Sequence, residues 1–158
     1  MPARLIRAFA SRVRVTAQMD NITPEQRSEV MAAVKSKGTK LERTFFEELE
    51  RRGIGPFEHH RSDLTGKPDL AHEESKIVVF VDSCFWYGCP KHLRMPEANR
   101  GYWEKKIAGN RKRDRKVTEK LREEGWLVLR IWEHSIKKPQ SLKWWLTRIE
   151  TLISERSR

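Results

Sequence analysis

The chain is short of cysteine, short of acid and without a long apolar run, and each shortage closes off a class of protein. Only two cysteines occur in 158 residues, Cys84 and Cys89. Secreted disulfide frameworks are smaller and much richer in cysteine, so the chain does not read as one. No stretch approaches the ~20 apolar residues that cross a bilayer, and no membrane partner is expected. The opening run, MPARLIRAFASRVRVTAQ, contains no acid and lacks the apolar core of a signal peptide. It reads as a disordered basic extension over residues 1–18, ahead of a single domain over 19–158, with Met19 a candidate initiator. A protein of the cell interior is expected. Acid is outnumbered, 22 Asp+Glu against 33 Lys+Arg, which leaves a net charge of +11. With aromatics interleaved, such a balance points to a polyanion, because each neutralised phosphate releases counterions.

What is present is organised as one α/β domain. Thr23-Pro24-Glu25-Gln26 opens a helix, with Thr23 at the N-cap and Pro24 at the first helical position, and Val30, Met31 and Val34 follow at helical spacing. A second helix starts at Thr39, carries Leu41, Phe45, Phe46 and Leu49, and stops at Gly53. Residues 57–60 are expected as a short strand, residues 62–68 as a turn-rich loop and Leu70–Ala71 as extended. Residues 77–82 (IVVFVD) are nearly all apolar and β-branched, as in a strand buried on both faces. A long charged helix over 101–124 ends at Gly125. Residues 126–132 (WLVLRIW) follow as a second central strand, and a last amphipathic helix spans about 140–154. Helices thus flank a small sheet, without internal repeats.

Two constellations carry chemistry. Cys84-x4-Cys89-x2-His92 offers three zinc-type ligands in nine residues, and His134, just after the 126–132 strand, is the best fourth. The competing reading is two buried thiols beside an unrelated histidine. His59, His60 and His72 are weaker candidates. Among the acids, Asp69 and Asp82 meet at one end if their strands pair as a hairpin, as a hard cation such as Mg²⁺ requires. An acid ending a strand is also an ordinary turn residue. Asp114 shares the inward stripe of the long helix with Trp103, Ile107 and Asn110, so a cation or hydrogen-bond donor is expected to meet it. The other helix face, with Lys105, Lys106, Arg111, Lys112, Arg115 and Lys116, suits a phosphate backbone. Glu42 fits a capping box with Thr39, yet it also shares a face with Phe46 and Leu49.

In order and at matching spacing, Pro68-Asp69, FVDSCFWYGCPKH (80–92), Pro96, WEKKI (103–107), NRKRDR (110–115) and GWLVLRIWEH (125–134) resemble the very-short-patch repair (Vsr) endonucleases over residues 22 to about 136. The resemblance implies a restriction-endonuclease-like fold: a small mixed sheet flanked by helices, with a structural zinc site. It also implies nicking of double-stranded DNA beside the thymine of a T:G mismatch left by deamination of 5-methylcytosine. A monomer working in the bacterial or archaeal cytoplasm near the nucleoid, alongside mismatch-repair proteins, goes with it. Residue by residue, it makes Asp69 the central Mg²⁺ carboxylate, with the backbone carbonyl of Val81 as a second contact. Cys84, Cys89, His92 and His134 become zinc ligands, Asp114 an acid supporting catalysis, and Glu42 an acid near the site. Phe85, Trp86 and Trp103 match aromatics that wedge beside the mismatch, and Met31 a residue entering from the other side.

Two positions depart from the pattern. Tyr87 stands where the family usually has a water-activating histidine, and a phenol is a poor base at neutral pH. Ser83 replaces a usual glycine. Asp82, at a position where relatives carry aspartate or histidine, is expected to bind metal or orient water, with Tyr87 as an accessory. The alternatives are a different nicking or restriction-type endonuclease of the same fold, and a zinc-containing DNA-binding protein that has lost cleavage.

Overall fold

In the computed structural model, residues 40–97 and 99–158 are described. The basic extension, the helix expected over 23–34 and Met31 lie outside them. Helix α1 (Lys40–Arg51) leads to strands β1 (Glu58–His59), β2 (Leu70–His72) and β3 (Ile77–Asp82). Then come helix α2 (Arg100–Glu123), strand β4 (Leu127–Trp132), a short helix α3 (Glu133–Lys137) and helix α4 (Pro139–Arg156). No described helix is long and apolar enough to cross a membrane.

The four strands form one mixed sheet in the order β1-β2-β3-β4. β1 and β2 pair antiparallel, as do β2 and β3, with Leu70 opposite Val79. β3 and β4 run parallel, Ile77 opposite Leu127 through Asp82 opposite Trp132. A parallel pair needs a crossover, and α2 supplies it. Its end is built locally: the Gly125 N–H donates to Arg122 O at 3.0 Å and the Trp126 N–H to Leu121 O at 2.9 Å. That bond pair requires a left-handed residue at the helix stop, and Gly125 takes it at φ 86°. The same two bonds close α1 at Gly53 and Ile54.

Period-two alternation divides β3 between two cores. Ile77 and Val79, with Val81 beside them, join Phe45, Phe46 and Leu49 of α1, Ile136 of α3 and Leu146, Ile149 and Leu152 of α4. Val78 and Phe80 join Leu121 of α2, Trp126 and Val128 on the opposite face. Asp82 therefore follows Val78 and Phe80 toward α2. One expectation needs correction: among the described residues β4 is an edge strand of this sheet, not a central one. Its burial is accordingly less complete than that of β3, with Val128 and Ile131 buried and its other residues partly covered. The apolar run WLVLRIW is explained by helices covering both faces, since hydrophobicity reports face burial and not strand neighbours.

The β1–β2 connection is held by charge. Arg61 reaches Glu58 at 2.9 Å, Asp63 at 2.6 Å and Glu73 at 3.1 Å. This fixes the backbone that carries His60 into the site and brings the chain back to Asp69.

Candidate catalytic and metal sites

Two polar clusters sit where β3 and β4 end. The first is Cys84, Cys89, His92 and His134, whose ligand atoms all lie within 4.8 Å of one another. The loop after β3 turns back on itself, with the Cys89 N–H donating to Cys84 O at 2.8 Å and the His92 N–H to Cys89 O at 3.3 Å. Gly88 makes the turn at φ 64°, where a Cβ would stand 2.8 Å from Ile107 Cγ2. The parallel β3–β4 register brings His134, in the first turn of α3, to the same place. Cys84 Sγ lies 3.1 Å from His134 Nδ1, and Cys89 Sγ lies 3.6 Å from the Nδ1 atoms of both His92 and His134. A tetrahedral ion with ordinary zinc–sulfur and zinc–nitrogen bonds spaces such ligands about 3.6 Å apart. Both thiols are free. Burial pushes Cys84 up to about 11, and burial followed by the neighbouring His92 pulls His134 below its usual range. Four such donors converging on one point fit a divalent cation, whose field would deprotonate the thiols.

The second cluster gathers three carboxylates. Asp69, one residue before β2, accepts the Val81 N–H on Oδ2 at 2.8 Å, while its own N–H donates to Val79 O at 3.0 Å. The hairpin thus delivers Asp69 to the end of β3, as the sequence pattern requires. The contact seen at Val81 is through its amide. Asp82, 6 % exposed, receives Arg130 Nη1 on both oxygens, at 2.8 and 3.1 Å. Arg130 Nη2 lies 3.4 Å from Asp114 Oδ1, and Nε donates to Thr118 Oγ1 at 3.2 Å. The guanidinium stacks 4.5 Å over the Phe80 ring. Burial still outweighs Arg130 and pushes Asp82 up to about 6, with Asp114 and Asp69 adding to the rise. Asp114 is raised by burial against the pull of Arg130 and Arg113. Tyr87 is held above its usual range by burial and then by Asp114 and Asp82, so its hydroxyl keeps its proton.

The cation expected opposite Asp114 is therefore Arg130, a residue the sequence reading missed. Its only signal was a charge inside the apolar run of β4, at the position that shares a face with Phe80. Asn110 is buried as expected, and Nδ2 donates to Trp86 O at 2.9 Å. Arg111, read from sequence as a phosphate contact, instead donates from Nε to Tyr87 O at 3.0 Å and from Nη2 to Gly88 O. The long helix thus grips the aromatic loop. Phe85 and Trp86 pack edge to face at 5.0 Å, and Trp103 lies 5.4 and 5.9 Å from them. Phe85 and Trp86 are partly exposed. Trp103 is only 3 % exposed, with exposed Tyr102 packed against it at 5.1 Å. Glu42, near the start of α1, is half-buried, and its capping partner Thr39 lies outside the described residues.

Residues 19–92 match the family model described as DNA mismatch endonuclease Vsr. The chain is also 40% identical over 122 residues to the type II nicking enzyme V.NmeDIP of Neisseria meningitidis serogroup C, covering 76% of this chain and 82% of the relative. The chain belongs to the Vsr family. Other relatives include the type II nicking enzyme V.NaeI of Lentzea aerocolonigenes, 39% identical over 116 residues, covering 68% of each chain. The DNA mismatch endonuclease Vsr of Escherichia coli K12 is 32% identical over 117 residues, covering 73% of this chain and 74% of that protein. The mixed α/β architecture and the Cys/His cluster are compatible with a Vsr nuclease.

Proposed function

We propose that this protein is a Mg²⁺-dependent endonuclease that nicks one strand of double-stranded DNA next to the thymine of a T:G mispair. The observation that carries the reading is the convergence of Asp69 on the end of β3, pinned by the Val81 N–H, beside a loop that presents partly exposed aromatics. Asp69 and the carbonyl of Val81 would hold the magnesium ion, which supplies charge neutralisation at the phosphate and the departing oxygen. Cys84, Cys89, His92 and His134 would hold zinc in a closed structural site. That site fixes the loop from which Phe85 and Trp86 wedge into the base stack. Unstacking costs least at a mispair, which gives selectivity. Trp103 backs these two rings from below. Asp82 and Asp114, joined by Arg130, set the charge at the rear of the site, and Glu42 adds an acid from α1. Tyr87, protonated, donates a hydrogen bond to water or phosphate and takes no proton. Basic side chains on the solvent side of α2 hold the backbone, as a monomer in the cytoplasm.

A second reading rests on Tyr87: a zinc-containing protein that recognises DNA and cuts poorly. A third follows from the relatives named type II nicking enzymes: a nicking enzyme of the same architecture acting on a matched site. Labelled T:G and T:A duplexes, each incubated with Mg²⁺ or with EDTA, separate the three. Nicking confined to T:G with Mg²⁺ supports the proposal. Equal nicking of both duplexes selects the matched-site enzyme, and binding without nicking selects the impaired one.

A further inference from the structure

The site has a histidine after all, and it comes from the other side. His60 immediately follows β1, and its backbone N–H donates to Asp69 O at 2.9 Å. Its imidazole Nδ1 lies 3.9 Å from Asp69 Oδ1. Nδ1 is buried and has no hydrogen-bond partner among the described residues. The residue also adopts φ 50°, a left-handed conformation that β-carbon-bearing residues avoid. Two local features therefore fall on one residue, a strained backbone and a buried nitrogen with no hydrogen-bond partner among the described residues, beside the carboxylate on which the proposed chemistry rests. Such features concentrate at functional sites. The ring is held by an edge contact with Phe46, centroids 6.3 Å apart, and the adjacent backbone by the three ion pairs of Arg61. A separation of 3.9 Å is too long for a hydrogen bond, and short enough for one water to reach both atoms.

We propose that His60 is a positioning residue of the nuclease site, its Nδ1 sharing with Asp69 Oδ1 one water of the layer that surrounds the divalent cation. The inference rests on the reading of Asp69 as the cation-binding carboxylate. It also accounts for a Vsr-family chain with tyrosine at position 87: part of the water-ordering work is done from the β1–β2 side. A histidine placed only for packing would have no use for a particular ring nitrogen. His60 does, and the three variants below distinguish the nitrogens.

His60→Asn puts an amide group where Nδ1 stands, and asparagine accepts a left-handed backbone. His60→Gln reaches instead toward the Nε2 position, and His60→Leu removes both nitrogens at similar bulk. With the Cys/His site loaded with zinc, Mn²⁺ binding is titrated by electron paramagnetic resonance, and nicking is measured against Mg²⁺ concentration. His60→Leu and His60→Gln are expected to weaken Mn²⁺ binding about tenfold or more, the usual loss for a residue one shell out from a metal. His60→Asn is expected to stay within about threefold of the native chain by the same measure. Circular dichroism melting reports folding separately. Equal weakening in all three variants, or native Mn²⁺ affinity in His60→Leu, overturns the proposal. Asp69→Ala is the control for the underlying reading. If it retains Mn²⁺ binding, the assignment of Asp69 itself fails. If it loses binding while His60→Leu does not, only the role of His60 falls.

Discussion

The two polar clusters at the end of the sheet make opposite use of burial. In the Cys/His cluster four donors converge within 4.8 Å of one another, and burial holds the Cys84 thiol above its usual range. In the carboxylate cluster the protein brings its own cation: Arg130 binds Asp82 on both oxygens and reaches Asp114. The first could be completed by a metal ion from outside, and the second is largely complete from within. Asp69 accepts a backbone amide from Val81 and lies on the side nearest His60. On the proposed reading a divalent ion would join the second cluster at Asp69, with the Arg130 pairs in place behind it.

Four experiments break or sharpen this contrast. The largest effect is expected from Asp69→Ala, which should lower Mg²⁺-supported nicking by ~10³-fold or more and leave T:G binding nearly unchanged. Undiminished cleavage by this variant, measured on a labelled duplex, would remove Asp69 from the chemistry. Next comes the Cys/His cluster. Purified protein should carry about one equivalent of zinc, and Cys89→Ser should lose it, with a fall in Tm of about 10 °C or more, because ligand binding is coupled to folding. Freely titrating thiols in a zinc-free native chain of unchanged Tm would dissolve the first half of the comparison. Third, Arg130→Met leaves Asp82 buried and unpaired. About 3 kcal/mol of stability should go, and most of it should return in the double variant Arg130→Met, Asp82→Leu. Urea denaturation of the single and double variants decides it, and additive losses would mean that the pair is not the unit it looks like. The smallest effect is expected from Tyr87→His, which restores a titrating base beside Asp114 and should raise nicking about tenfold near neutral pH. No change would show that water is already ordered adequately without a histidine at 87.

The contrast also explains how much could be read in advance. Cys84, Cys89 and His92 lie within nine residues, and local spacing alone states their chemistry. The hairpin of β2 and β3 was legible because twelve residues with a turn between two apolar runs leave little choice of register, and Asp69 arrived where that register puts it. Arg130 was not legible, because a guanidinium in a strand says nothing of which acids it will meet 16 and 48 residues away. His60 was visible only as one histidine of an adjacent pair. Its left-handed backbone and its orientation toward Asp69 depend on the Arg61 ion pairs and on the return of the chain through the loop. Arg111 was misread for a related reason. Helical periodicity put it on the basic face, but a long flexible side chain bends to unsatisfied carbonyls in the loop beside it.

From the order of residues alone came the helices and strands, the two-sided burial of β3, the ligand types of the Cys/His cluster and the pairing of β2 with β3. These follow from short-range rules: the periods of helix and strand, the stops at Gly53 and Gly125, and donors close along the chain. Tertiary structure alone decided that β4 is an edge among the described strands, that Arg130 joins Asp82 to Asp114, and that His60 faces Asp69. In each case the partners are distant in sequence, and the parallel crossover and the ion-paired loop bring them together. A buried charge or an unsatisfied nitrogen has a meaning only once its neighbours are known.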